Sequence, residues 1–510
     1  MSTSISASER RWLMAASIGV LAITSLPYLV GVLAATPDRV FTGLQVNPLD
    51  GVSYLAKMRL GWNGDWLFTL RFTAESGSGT FLFTYFIALG HLARLLNLPP
   101  ILIFHAARLL GGFALLWMVY QLIARCTTSI DLRRRMWWLA ALSSGLGWLA
   151  MLLGYGNSAD LTIAESNTFY SLMANAHFAL ATALMIAMFL LVIEAERVDG
   201  RRLIGLTAAS LLLSIVQPFA PFAVYGILGV TLLIQWWRNR KLPRTSLTLA
   251  VIVGLLTAPL LLTIYLGTQS DPTMRAWTAQ NQTPSPPVLD YVIGYGLLWV
   301  LAMPGLRLAW QRRSEWDVLL LVWVIVTVPM LYAPIALQRR LSLGLHVPIA
   351  LLAAQGLTQV VRGAGARRVI LIATTLTSAF LVLALSAGAF AHDSRIYVSA
   401  DEAAAFDWLQ INAPRDGVVL AAPDTGAFIP AYTSQRVVYG HPYETVDAAR
   451  KKQQVIDFFA GKIDRAALLD QVNYVFVGPR EKALGSLDAA ALGLTPVFES
   501  GEVTVYAVRR

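Results

Sequence analysis

A single cysteine, Cys126, stands in 510 residues, which excludes an intramolecular disulfide and leaves no paired-cysteine metal motif. Charge is also scarce. Asp, Glu, Lys and Arg make up 14% of the chain against 56% hydrophobic residues, too little to keep a globule of this size in water. A cleavable leader is not expected either, because the apolar run from Trp12 to Ala35 follows Ser-Glu-Arg-Arg and outlasts a signal-peptide core, so it reads as a retained helix. The net charge of +10 does not point to nucleic acid. Its excess lies in short loops between apolar runs, where membrane orientation explains it.

Long apolar runs are abundant instead. Stretches near the 20 residues that a span needs recur at 12–35, 101–124, 137–153, 176–194, 245–267, 291–310, 318–335, 342–360 and 369–391, and 203–236 is long enough for two spans turning at Gln217-Pro218. Basic clusters mark the cytoplasmic loops: Arg133 to Arg135, Arg197 with Arg201 and Arg202, Arg238 to Arg244, Arg307 to Arg313, and Arg362 to Arg368. For these to share one side, the segment 80–97, which carries His91 and Arg94, must lie in the outer interface as a juxtamembrane helix rather than cross. The expectation is a polytopic α-helical membrane protein with about eleven spans, a cytoplasmic N-terminus, a first outer loop over 36–100 and a second over 268–290. Residues 392–510 hold 12 Lys+Arg against 15 Asp+Glu, where residues 1–391 hold 28 against 15. That reversal divides the chain into a membrane domain, 1–391, and an extracytoplasmic soluble domain, 392–510.

The first outer loop contains Asn47-Pro-Leu-Asp50-Gly-Val-Ser-Tyr54-Leu-Ala-Lys57. Locally, Asn47, Pro48 and Asp50 read as N-cap, N1 and N3 of a helix. Leu49, Val52, Ala56 and Leu60 give it an apolar stripe, so it is expected to lie flat on the membrane with Asp50, Tyr54 and Lys57 on another face. Capping would account for Asp50, but other uncommon residues gather on the same outer side: His91, His105, His177, His346, His392 and His441, with Glu75, Glu165 and Arg108. Ionisable groups at membrane depth are costly and usually mark a pathway or site. Arg339 and Arg340 break the charge rule by falling on the outer side, for which anion binding is one reason and snorkelling to lipid head groups another. A carboxylate that takes a proton from an acceptor hydroxyl, while arginines stabilise a leaving phosphate, fits sugar transfer from a lipid phosphate.

The acidic residue after the first helix, the segments Phe81-Leu-Phe-Thr-Tyr-Phe and Leu102-Ile-Phe-His-Ala-Ala-Arg108, the outer Gln338-Arg-Arg-Leu-Ser and a terminal soluble domain together resemble the GT-C superfamily of membrane glycosyltransferases. Its members include protein O-mannosyltransferases, the aminoarabinose transferase of lipid A and oligosaccharyltransferase catalytic subunits. The resemblance implies inverting transfer from a polyprenyl-phosphate sugar donor to a glycan, lipid or protein acceptor outside the cytoplasm. It carries Asp50 over as general base, Arg339 and Arg340 as donor-phosphate contacts, and Arg108 or His105 as helpers. The tandem acidic pair common in the family is absent, since Leu49 and Gly51 flank Asp50, so a divalent cation such as Mg or Mn is not favoured. Glu75 or Glu165 is then a candidate second acid, and Tyr54, Lys57, His177 and His346 are candidate substrate contacts. In the second outer loop Trp277, Gln280 and Asn281 could touch a sugar, although a polar proline-rich connector is the plainer expectation.

The tail reads as a small α/β domain, with helices in 400–413, 445–461 and 464–472, strands in 417–423, 436–440 and 474–479, and a closing hairpin over 495–510. No phosphate loop follows Val475-Phe-Val-Gly-Pro, so a nucleotide cofactor site is not expected there. His441 is its most suggestive residue, and no Ser/His/Asp arrangement accompanies it. Two other functions are compatible with the layout: a transporter or flippase of lipid-linked glycans, for which the internal repeats and mid-membrane broken helices are not evident, and a noncatalytic assembly subunit.

Overall fold

A computed structural model describes residues 5–509. The chain forms two compact units, one of Met1–Pro27, His105–Leu262 and Thr283–Leu385, the other of Tyr28–Phe104, Thr263–Gln282 and Ser386–Arg510.

The protein is a multi-pass membrane protein. Among the described residues seven helices are long and apolar enough to cross a bilayer: Ala7–Leu33, Pro100–Cys126, Ala176–Ile193, Ala220–Asn239, Arg244–Ser270, Arg339–Val360 and Ala364–Phe390. The pair Val288–Tyr295 and Leu297–Arg312, bent by 82°, makes an eighth if it is one span. Helices also stand at the remaining expected stretches, but Gly200–Val216 and Glu315–Met330 have 17 and 16 residues, and 137–153 is broken. There the helix Ile130–Leu142 stops at Ser143, and a new one starts at Gly147. The buried carboxylate of Asp160 accepts from the N–H groups of Gly145 at 2.9 Å and Gly147 at 3.2 Å, which satisfies backbone donors freed by the break.

Two devices hold the first unit together. Glu9, capped in a box with Ser6, is buried and accepts from Arg133 and from the Tyr120 hydroxyl, each at 2.8 Å. Between Leu297–Arg312 and His346–Val360, facing glycines let backbones touch: a Cβ added at Gly305 would lie 2.0 Å from the Leu352 carbonyl oxygen, and one at Gly356 would lie 1.9 Å from that of Leu301. Small residues of this kind set helix contacts where no hydrophobic drive separates protein from lipid.

The second unit repeats the glycine device between Pro48–Trp62 and Thr84–Leu96, where a Cβ at Gly61 would meet the Ile87 carbonyl oxygen at 1.9 Å and one at Gly90 that of Met58 at 1.9 Å. Strands β1 (Arg39–Phe41) and β2 (Tyr397–Ser399) pair antiparallel. Strands β3 (Val418–Leu420), β4 (Arg436–Val437), β5 (Tyr474–Val477), β6 (Leu494–Ser500) and β7 (Val503–Val508) form a sheet in the order β4-β3-β5-β7-β6. β3 runs parallel to β4 and β5, and the β6–β7 hairpin closes antiparallel on β5. β3 to β7 fall where hydrophobic runs placed them, whereas β1 and β2 were not expected. The helix Pro423–Tyr432 was not expected, and it packs against Pro48–Trp62.

The flat-lying helix is corrected. In Pro48–Trp62 every residue from Gly51 to Met58 is buried, while Leu49 of the supposed buried stripe is 38% exposed. Neighbours on several sides, not one lipid face, decide its burial. The second outer loop is likewise no plain connector, because Asp271 caps a helix, Pro272–Gln280, through the N–H groups of Thr273 and Met274. Gly61→Ala and Gly356→Ala should each destabilise the protein by about 1–3 kcal/mol, since the intruding methyl meets backbone that cannot rotate away. Thermal unfolding in detergent measures this, and a change of Gly363→Ala, where the added atom has room, serves as control.

Candidate active site

Pro48 starts the Pro48–Trp62 helix at a position where its missing N–H costs nothing. Asn47 does not cap it as expected. Its backbone is left-handed (φ 48°, ψ 55°), no side-chain cap bond forms, and its Nδ2 instead donates to Asp50 Oδ2 at 3.2 Å. Asp50 is half-buried. One and two turns further on, at i+3 and i+7 on the same helix face, stand Ser53 and Lys57.

Lys57 is 1% exposed, with its Nζ 2.5 Å from Glu444 Oε1 and 2.5 Å from Ser53 Oγ. The ammonium also lies 4.2 Å from the centroid of the Phe83 ring. Ser53 Oγ donates to the same Glu444 oxygen. Glu444 is 6% exposed. Burial alone would raise its carboxyl, but the Lys57 charge, His441 and the hydrogen bonds from Lys57 and Ser53 prevail and hold it below the ordinary value.

Three residues before Glu444 stands His441, 2% exposed. The loop that carries it is built tightly. Gly440 admits the carbonyl oxygen of Gly426, 2.2 Å from where a Cβ would sit, and Thr445 Oγ1 accepts from the N–H groups of Gly440 and His441 and donates to Phe72 O at 2.6 Å. Trp277 Nε1 donates to Tyr443 O at 2.8 Å, and Gln280 Nε2 donates to Thr445 O. Those two residues of the second outer loop therefore brace this turn. His441 Nδ1 accepts from Tyr443 N–H at 3.1 Å, which places the ring proton on Nε2, and Nε2 has no hydrogen bond of good geometry. Burial pushes the imidazole below its ordinary 6.5 and the Lys57 charge acts the same way, while the charges of Glu444 and Asp50 and the backbone of Leu49 pull upward. Asp50 thus stands beside a neutral imidazole and a buried ion pair.

The other candidate residues fall into separate settings. Tyr54 stacks on Phe86 at 4.3 Å, with the Lys57 ammonium 5.4 Å from the centroid of the Tyr54 ring, whereas Glu75 pairs with Lys451. In the first unit Arg339 lies 3.5 Å from Glu165, which makes Glu165 a partner of that arginine rather than a free acid. Arg340 stands 5.9 Å from the centroid of the Phe219 ring. Arg108 is buried and donates to Leu172 O at 3.0 Å, Ser25 Oγ at 3.0 Å and His105 Nδ1 at 3.4 Å, an arrangement that ties helices together. His346 is buried between Thr168 Oγ1 at 2.9 Å and Ser143 Oγ at 3.2 Å, and His177 is buried. No group of three or more His, Cys, Asp or Glu side chains placed to hold a metal ion occurs among the described residues. Near Asp50 the Glu444 Oε1 atom is committed to Lys57 and Ser53.

Sequence reasoning missed Ser53 and Glu444. Glu444 is 387 residues from Lys57, and its only local sign was an acid in the turn after His441.

The fold is shared with solved membrane glycosyltransferases. The chain is similar to ArnT from Cupriavidus metallidurans in the apo state, at 13% identity over 97% of this chain and 98% of that chain with a TM-score of 0.52. The same enzyme bound to undecaprenyl phosphate gives 12% identity, the same coverage and a TM-score of 0.55. Arabinofuranosyltransferase AftD from Mycobacteria matches at 15% identity and a TM-score of 0.54 over 99% of this chain, which spans 42% of that longer one. No family model matches the sequence, and no curated protein does.

Lys57→Met alone should destabilise the protein by about 3–5 kcal/mol, because it leaves Glu444 buried and uncompensated, whereas Lys57→Met with Glu444→Leu should recover most of that loss. Thermal unfolding of the two variants in detergent decides it. A second expectation concerns pH. The depressed His441 binds fewer protons folded than unfolded, so it contributes stability above about pH 6.5 that falls away as the medium is acidified through that value. His441→Gln should flatten this part of the stability profile.

Proposed function

We propose that the protein is an inverting glycosyltransferase that moves a sugar from a polyprenyl-phosphate donor to an acceptor hydroxyl on the extracytoplasmic side, with its N-terminus in the cytoplasm. The observation that carries the proposal is the setting of Asp50: a half-buried carboxylate at the start of a helix buried from Gly51 to Met58, beside a buried Lys57–Glu444 pair and a neutral histidine. The likeness of the fold to GT-C enzymes, one of them bound to undecaprenyl phosphate, supports the lipid-linked donor.

In this scheme Asp50 takes the proton of the acceptor hydroxyl as its oxygen attacks the anomeric carbon. The bond from that carbon to the phosphate oxygen breaks, and its electrons leave with the polyprenyl phosphate. Arg339 and Arg340, in the first unit, keep the donor-phosphate role that the resemblance gives them, a role charge-assisted donors fill best. Arg339 has a carboxylate neighbour at 3.5 Å, and Arg340 has none among the described ion pairs. Arg340 therefore carries the larger share of phosphate contact. The Lys57–Glu444 pair has no place in the chemical step. It fixes the loop 440–445 against the helix that presents Asp50.

The test is transfer by purified protein from radiolabelled polyprenyl-phosphate sugars to extracted membrane acceptors. Asp50→Asn should lower turnover by about 10²–10⁴-fold with donor affinity unchanged, and full activity of the variant would overturn the assignment of the base. Arg340→Ala should weaken donor binding by about 1.5–3 kcal/mol, and unchanged affinity would leave lipid head groups as the partner of that arginine.

A further inference from the structure

The first unit contains a second group of polar side chains that its own fold leaves unused. Asn175 occupies the N-cap position of Ala176–Ile193 with the extended backbone that suits a cap (φ −136°, ψ 150°), yet its side chain makes no cap bond. Asn175 is 1% exposed, and neither its amide oxygen nor its amide nitrogen has a hydrogen-bond partner. Gln217, at the end of Gly200–Val216, is 3% exposed, and its Nε2 is likewise unpartnered. Buried amides without partners are rare in folded proteins and call for an explanation.

These two residues lie at one end of an antiparallel pair. Arg202 reaches the Leu191 carbonyl oxygen at 2.9 Å, so the last turn of Ala176–Ile193 stands level with the first turn of Gly200–Val216. Asn175 precedes Leu191 by 16 residues and Gln217 follows Arg202 by 15, so at about 1.5 Å per residue the two amides end nearly level at the opposite end. That end also receives Arg340, which stands over the ring of Phe219, two residues past Gln217. Arg340 Nε is unpartnered as well. The neighbouring acid, Glu165, is paired with Arg339.

We propose that Asn175, Gln217 and Arg340 form a subsite for the head of a lipid-linked sugar, the two amides holding hydroxyl groups of a neutral sugar and Arg340 holding the phosphate. This rests on the lipid-donor reading above and narrows it. An amide oxygen and amide N–H groups match hydroxyls, which both donate and accept. A sugar bearing an ammonium group would meet the charge of Arg340, and the neighbouring Glu165 is already paired with Arg339, so the subsite selects against it.

The test uses the full chain in lipid nanodiscs and three kinds of probe: undecaprenyl phosphate alone, undecaprenyl phosphate carrying neutral hexoses or pentoses, and undecaprenyl phosphate carrying aminoarabinose. The wild type should bind a neutral-sugar lipid more tightly than the bare phosphate and the amino-sugar lipid. Asn175→Leu and Gln217→Leu should each lose about five- to tenfold in affinity for the neutral-sugar lipid, with the bare phosphate unaffected. Because each change removes an unpaired buried polar group, the thermal midpoint should hold or rise, the opposite of what a structural amide would give. Retained sugar preference in both variants, a sharp drop in their thermal midpoint, or a wild-type preference for the amino-sugar lipid would overturn the subsite. Equal binding of the bare phosphate and every sugar lipid by the wild type would overturn the subsite alone, and binding of none of them would remove the lipid-donor reading with it.

Discussion

The buried pair of Lys57 and Glu444 is the constraint on which the candidate active site depends. Two opposite charges 2.5 Å apart and nearly free of solvent are stable only while both remain in place. One belongs to the helix that presents Asp50, the other to a loop almost four hundred residues later. The cost of separating them fixes that loop, and with it His441, against the start of the helix. Backbone contacts hold the same loop from other directions, through Thr445 to Phe72 and through Trp277 to Tyr443. Three distant parts of the chain thereby define the surroundings of one carboxylate, as a catalytic group requires if its own position is to vary little.

Close backbone contact is the second theme. Paired glycines at Gly61 and Gly90, at Gly305 and Gly356, and at Gly426 and Gly440 each remove the side chains that would keep two segments apart. Such contacts gain dispersion energy over many atoms and tolerate no added volume. In a membrane protein they replace the hydrophobic effect as the means of choosing which helices touch. Polar side chains then satisfy what the close packing or a broken helix exposes, as Asp160 does for Gly145 and Gly147.

Much of the fold was legible in the sequence because its signals are local. Apolar runs located the membrane helices, and the short hydrophobic stretches of the tail located β3, β5 and the β6–β7 hairpin. The place of Asp50 in the first turn after a proline was legible for the same reason. The failures share a cause. Asn47 was read as a cap from residue type, but its left-handed backbone turns the side chain toward Asp50. Pro423–Tyr432 carries Gly426 and Pro430, two residues that weaken a helix, and tertiary packing forms it regardless. The break at Ser143 interrupts a run that hydropathy alone joins, and the settings of Lys57, Glu444, Asn175 and Gln217 rest on partners, or on missing partners, that no local pattern encodes.

The most direct measurement of the central claim is the anomeric configuration of the transferred sugar, read by NMR on product formed from a donor of known configuration. Attack by a hydroxyl that Asp50 deprotonates, in one displacement at the anomeric carbon, inverts that centre. An inverted product is the result this account predicts. Retention would require a covalent or otherwise two-step route and would contradict Asp50 as the base of a single displacement.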